Sequence, residues 1–348
     1  MDKKPKKIII GISVGDLNGV GAELILKTFE DPRMFEFCTP VVFASNKAFQ
    51  FLKKHLNMPV ATQRVDSFER LSDKKLNIFS IWKESFNFEF GQETEEAGKR
   101  AIESLQEATK ALKEKKIDAL LTAPINKSNI QTKDFSFPGH TDFLAKELEG
   151  NPLMFMVSDE LKVGLLTDHV AVKDVAGTIT PKLIREKITT IYESLKKDFR
   201  VNKPKIAVLG INPHAGDNGV IGKEDEDILK PTIKDLYQKG MMVFGPYAAD
   251  GFFGSNTYQK FDAVIASYHD QGLIPFKTLT FGNGVNYTAG LEAVRTSPDH
   301  GTAYDIAGKG KADASSFKEA LFTAIQIVKN RKEYNGLTSN VLRKHKKI

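Results

Sequence analysis

Residues 6–31 read KKIIIGISVGDLNGVGAELILKTFED. The apolar run 8–14 is cut off at Gly15 and Asp16. After a glycine-rich turn, apolar positions return at helical spacing. A strand that is apolar on both faces belongs in a sheet covered on both sides, and a helix that follows it directly opens a crossover unit. The same alternation continues along the chain. PVVFA (40–44) precedes a helix capped by Asn46, and LNIFSIW (76–82) is the clear strand within residues 60–93. A long amphipathic helix over 93–116 leads into IDALLTAP (117–124), a strand stopped by Pro124. LMFMVS and LKVGLLT are strands joined tightly at Asp159 and Glu160, and a helix capped by Thr180 follows. KIAVLGI (205–211) and FDAVIASY (261–268) are further strands, separated by a helix over 225–238, and 315–330 forms a closing helix. The expected class is α/β with largely parallel sheets.

At 348 residues the chain is long enough for two domains. A single cysteine, Cys38, excludes an intrachain disulfide, and no apolar stretch is long enough to span a membrane. The expected location is the cytoplasm. The +3 of residues 1–7 and the +4 of residues 343–348 together exceed the net charge of +6, so the body of the chain is near neutral. Basicity confined to two tails argues against a nucleic-acid partner.

Five of the seven histidines fall in loop-like clusters between positions 140 and 300. His169, His214 and His269 each lie just beyond a predicted strand, so they can converge at one sheet edge. Three imidazoles suit Zn²⁺, Co²⁺ or Mn²⁺ with positions left open for substrate. Asp168 and Asp270 are adjacent candidates to orient them. In PGHTD (138–142), His140 and Thr141 begin a helix whose N-terminus favours an anion. Lys277, Asn286 and Arg295 follow at nine-residue intervals and could clamp a phosphate or carboxylate. Asp250, Asp270 and Lys277 are candidate general bases. The cluster GDLNGVG (15–21) does not fit G-x-G-x-x-G, and no phosphate loop of the G-x-x-x-x-G-K-[ST] kind is present.

HGTAYDIAGKG (300–310) is close to the loop with which isopropylmalate and isocitrate dehydrogenases hold the adenosine part of NAD(P). With TAPINKS, FPGHTDFLA, NPHAGDNG and SYHDQGLIPFK, nearly the whole chain resembles the 4-hydroxythreonine-4-phosphate dehydrogenase family of pyridoxine 5′-phosphate biosynthesis. The resemblance implies two α/β/α domains, 1–125 plus 297–348 and 126–296, with the active site in the cleft between them. It implies a divalent metal (Zn, Mg, Co or Mn) on His169, His214 and His269, the third donated across a homodimer. Substrate would meet His140, Thr141, Lys277, Asn286 and Arg295, and NAD or NADP the segment with His300, Gly301, Thr302 and Asp305. The implied reaction oxidises 4-phosphohydroxy-L-threonine to a 3-keto acid that loses CO₂. Two features depart from the family. Its pattern G-x-P-A-G-I-G-P-E reads GDLNGVGAE here, and residues 60–95 are longer than usual. Rival readings are a dehydrogenase of phospho-threonate or phospho-erythronate, or a phosphate acyltransferase of similar architecture.

Overall fold

The computed structural model describes residues 7–132, 135–137 and 139–339. Most of the N-terminal basic tail, the C-terminal one with His345, and Pro138 of PGHTD lie outside the described residues. The first strands are β1 (Ile9–Ser13), β2 (Thr39–Ala44), β3 (Thr62–Val65), β4 (Leu76–Ser80) and β5 (Ala119–Thr122). They are followed by β6 (Gly150–Val157), β7 (Lys162–Leu165), β8 (Lys205–Leu209) and β9 (Met242–Tyr247). The last are β10 (Ala263–Ala266), β11 (Val285–Leu291) and β12 (Val294–Pro298). All join one sheet in the order β3-β4-β2-β1-β5-β12-β11-β6-β7-β10-β8-β9.

The alternation read from residues 6–31 has a direct cause in the packing. On β1, Ile10 and Ile12 share a core with Leu24, Leu26 and Leu321, whereas Ile9 packs with Leu105, Leu112 and Leu120 on the opposite face. Both faces are covered, so the strand is apolar throughout. Most neighbouring strands run parallel, as expected for this class. The antiparallel pairs are β6 with β7, β6 with β11, and β11 with β12. The tight Asp159–Glu160 connection makes the first of these possible, with Ser158 N–H donating to Leu161 O across it at 3.0 Å.

The two expected segments share this sheet. β12 joins them, lying parallel to β5 and antiparallel to β11, and it straddles the expected boundary at 296/297. Four strands have no counterpart in the reading of the sequence. β3 and β9 are the sheet edges, covered on fewer sides and therefore less apolar. β11 and β12 carry polar residues that line a cavity, which obscures their periodicity. No helix of the described residues is long and apolar enough to cross a membrane.

Candidate active site

β7, β10 and β8 are parallel neighbours, so the segments leaving their C-terminal ends emerge side by side. Pairing between the first two continues beyond the strands, with Thr167 N–H and Oγ1 both donating to Ser267 O. His169 and His269 follow two residues after this link, and their ring centroids lie 6.3 Å apart. Gln271 accepts from Ser267 N–H and donates to Gly210 O, tying the end of β10 to the end of β8. Gly272 lets the helix His269–Thr280 sit directly on the sheet, where a Cβ would come within 2.8–2.9 Å of Val163, Ala266 and Leu165. The Asp270 carboxylate meets His269 Nδ1 at 2.7 Å, leaving Nε2 free to face a ligand.

A cavity of about 630 Å³ opens at these strand ends. It gathers His169 and His269 with His140, Thr141, Lys277, Asn286 and Arg295, and with His300 and Gly301. Its wall draws on both expected segments, since Thr122–Ile125 lie opposite residues of 126–296.

Arg295 is only 2% exposed, and no carboxylate among the described residues pairs with it. Its Nε and Nη2 donate to Thr122 Oγ1 at 3.2 and 2.6 Å, and Nη1 donates to Thr288 Oγ1 at 3.2 Å. Burial pushes its pKa down to about 9, which leaves the guanidinium cationic near neutrality. His140 opens the helix His140–Glu147, and its Nε2 is shut from solvent without a partner. Burial, then the charges of Arg295 and Lys127, holds this imidazole well below the usual histidine range, so it is neutral. Asn286 Oδ1 and His300 Nε2 are also buried and unpartnered in the same cavity. Buried polar groups are normally satisfied, so a cluster of orphans beside an unpaired cation marks a place shaped for a polar anion.

Lys277 Nζ lies 3.2 Å from Asp299, whose carboxyl is raised by burial while Lys277 acts in the opposite direction. Asp299 and Lys127 both line the cavity and were missed in the sequence. Lys127 follows the strand-ending TAPIN, in the same kind of position that singles out the histidines. Asp299 immediately precedes His300, so its signal was available as well.

His214, Asp250, Asp270, Thr302 and Asp305 are not among the residues lining the cavity within one chain. His214 is exposed on a turn in which residues 214–218 all have positive φ, an uncommon conformation for five successive residues. The buried Asp225 holds the start of this turn by accepting from the N–H groups of Ile211 and Asn212. The helix Ala249–Gly254, with the exposed Asp250, packs against the same turn. No group of three or more His, Cys, Asp or Glu among the described residues is placed to hold a metal. The donor types suit a divalent ion, but one chain brings only His169 and His269 together. The resemblance made His269 the partner's contribution; within one chain it is His214 that stands apart.

The glycine-rich turn packs on the segment after His300. Val20 N–H donates to Thr302 O at 2.9 Å, and a Cβ on Gly19 would strike that oxygen at 2.8 Å. Tyr304 OH donates to Asp16 Oδ2 at 2.8 Å, and Lys27 Nζ donates to Gly310 O at 2.8 Å. His300 Nε2, at the head of this loop, is buried and unpartnered.

Residues 36–324 match the family model of the pyridoxal phosphate biosynthetic protein PdxA. The chain is 46% identical over 340 residues to a 4-hydroxythreonine-4-phosphate dehydrogenase of Bacteroides thetaiotaomicron, covering 97% of this chain and 93% of that one. It is 40% identical to the enzyme of the same name from Sulfurihydrogenibium sp., covering 93% of this chain and 99% of that one. The crystal structure of 4-hydroxythreonine-4-phosphate dehydrogenase from Klebsiella pneumoniae superposes with a TM-score of 0.81 at 31% identity, covering 94% of this chain and 99% of that one. The fold agrees with that of the solved relative, and the chain belongs to the PdxA family of pyridoxal phosphate biosynthetic proteins.

Proposed function

We propose that this chain is a 4-hydroxythreonine-4-phosphate dehydrogenase, oxidising 4-phosphohydroxy-L-threonine with NAD or NADP and a divalent metal (Zn, Mg, Co or Mn). The observation that carries the reading is Arg295, buried and without a counter-ion among the described residues, in a cavity that also holds the unpartnered atoms His140 Nε2, Asn286 Oδ1 and His300 Nε2. The substrate bears two anionic groups and several hydrogen-bonding ones, as that wall requires. Arg295 and Lys127 meet the anionic ends, Thr141 and the helix N-terminus add donors, and neutral His140 and Asn286 orient the substrate. A bound divalent ion would lower the pKa of the substrate hydroxyl, and the dinucleotide would accept its hydride.

The hydroxyl proton passes to a base while the carbon loses a hydride, giving a 3-keto acid. This loses CO₂ and takes up a proton to yield 3-amino-2-oxopropyl phosphate. Of the three candidate bases, Lys277 is the one in the cavity of its own chain, and Asp299 at 3.2 Å can exchange a proton with it. Asp270 acts through His269 by holding its ring.

The active unit in this reading is a homodimer with shared sites. His214 and Asp250 stand exposed on neighbouring elements, and a second copy would complete the ligand set. Val172, Val220 and Ile274, close in sequence to the three histidines, are 78%, 79% and 64% exposed, as an unpartnered interface would be. The expected division into 1–125 plus 297–348 and 126–296 then describes two lobes on either side of the cavity. A panel of 4-phosphohydroxy-threonine, phospho-threonate and phospho-erythronate tests the substrate. A preference for either sugar acid in kcat/KM contradicts the proposal.

A further inference from the structure

The two departures from the family pattern, Asn18 in the glycine-rich turn and the long region 60–95, touch each other. Asn18 is fully buried, and every polar group of its side chain is engaged. Its Nδ2 donates to Gln92 O at 3.2 Å and Thr94 Oγ1 at 3.1 Å, while Oδ1 accepts from Glu89 N–H at 2.9 Å. Its carbonyl accepts from Gly91 N–H at 2.9 Å. An alanine at this position could make none of the side-chain bonds.

The segment fixed in this way, FNFEFG (86–91), carries aromatic rings at alternate positions. Phe88 and Phe90 stack on Phe51 and His55, one turn apart on the helix Asn46–His55, with centroids 4.7 and 4.9 Å apart and planes within 13° and 23°. The far side of the segment meets the loop after His300. Gly308 has φ +71°, and a Cβ there would lie 2.5 Å from the Phe90 ring. Gly91 has φ +79°, and a Cβ there would lie 2.7 Å from Tyr304 O. His55 Nε2 lies 3.0 Å from Gly308 O. Helix, aromatic segment and loop therefore form one packed unit.

We infer that residues 86–91, anchored by Asn18 and zipped by two ring pairs to the helix Asn46–His55, are a positioning strap that preshapes the Thr302–Gly310 loop for a dinucleotide. The inference rests on the dinucleotide reading proposed above. The strap contributes no group to the reacting atoms. Its effect is to keep the loop in its binding-competent shape, so its loss raises the dissociation constant by the inverse of the fraction of time the loop still spends in that shape.

The test measures NAD and NADP binding by calorimetry, and amide exchange over 302–310, in wild type, Phe90→Ala and Asn18→Ala. Asn18→Ala leaves the aromatic zipper untouched, so it remains informative if Phe90→Ala folds poorly. If the loop is ordered only about a tenth of the time without its strap, the dissociation constant rises about tenfold. Exchange over 302–310 accelerates in parallel, while inorganic phosphate binding stays within about twofold of wild type, since Arg295 lies elsewhere. A wild-type chain that binds a dinucleotide, with both variants binding it as tightly, overturns the strap alone. Faster exchange without weaker binding does the same. A wild-type chain that binds neither dinucleotide removes the underlying reading and the inference with it.

Discussion

The guanidinium of Arg295 is held from two of its nitrogens by the single hydroxyl of Thr122, at 2.6 and 3.2 Å, and by no carboxylate among the described residues. A second buried arginine provides the contrast. Arg331 Nε lies 2.6 Å from Asp198, which also accepts from Tyr287 OH at 2.6 Å and Ser194 Oγ at 2.7 Å. Its remaining nitrogens donate to Tyr287 OH and to the carbonyls of Leu291 and Glu292. One arginine is neutralised by the fold; the other has no carboxylate partner among the described residues.

Replacing these two residues should have opposite consequences. Arg295→Met removes an uncompensated buried charge, so thermal melting should show a stability equal to or above that of wild type. Calorimetry with inorganic phosphate should show binding weakened by at least about 2 kcal/mol, the scale of a lost charge-assisted contact. A large loss of stability would make Arg295 a structural residue.

Arg331→Met leaves Asp198 buried, charged and unpaired. The expected cost is about 3–5 kcal/mol, read from urea unfolding. A loss within experimental error of zero would show that the Asp198–Tyr287 network adjusts without its cation.

His140 should remain neutral where an ordinary histidine takes up a proton, because burial and the charges of Arg295 and Lys127 hold its pKa well below the usual range. The unfolded chain binds that proton near pH 6.5 and the folded chain does not, so this group favours unfolding progressively as pH falls through that region. NMR of the imidazole Cε1–H should show no titration of His140 between pH 7.5 and about 6, below the ordinary histidine midpoint. His140→Gln should flatten the acid-side fall in stability. A His140 midpoint near the ordinary value contradicts the closed environment.

The proposed sharing of metal sites across a homodimer makes a prediction about mixed dimers. His169→Ala subunits, inactive alone, should regain activity when mixed either with His269→Ala or with His214→Ala subunits, whichever residue the partner supplies. The two mixtures distinguish the arrangement implied by resemblance from the one suggested by the grouping of His169 with His269. Recovery in neither verified mixed dimer argues against sites shared across the interface.

How much of this was legible in the sequence depended on how each residue is carried. Strands buried on both faces, such as β1 and β5, announce themselves by unbroken apolar runs, and the residues that end them were found with them. His169 and His269 reach the cavity because they follow such strands, and His140 because it begins a helix beside them. Edge strands β3 and β9 lack that signal, and β11 and β12 lose it because they supply Asn286 and Arg295 to the cavity. The isolation of His214 was not legible. It depends on a left-handed turn held from behind by Asp225, and spacing along the chain does not encode that geometry. The burial of Arg295 escaped for a related reason, since a lone arginine in a polar segment reads as a surface residue until its neighbours close over it.

Reduction of NAD⁺ or NADP⁺ by purified protein with 4-phosphohydroxy-L-threonine, followed at the reduced-nicotinamide band, tests the central claim most directly. The account predicts reduction that requires the phosphorylated substrate, disappears with chelator, returns on adding a divalent metal, and falls by orders of magnitude in Arg295→Met. No reduction with either dinucleotide in the metal-loaded wild-type dimer, or undiminished reduction in chelator, would contradict it.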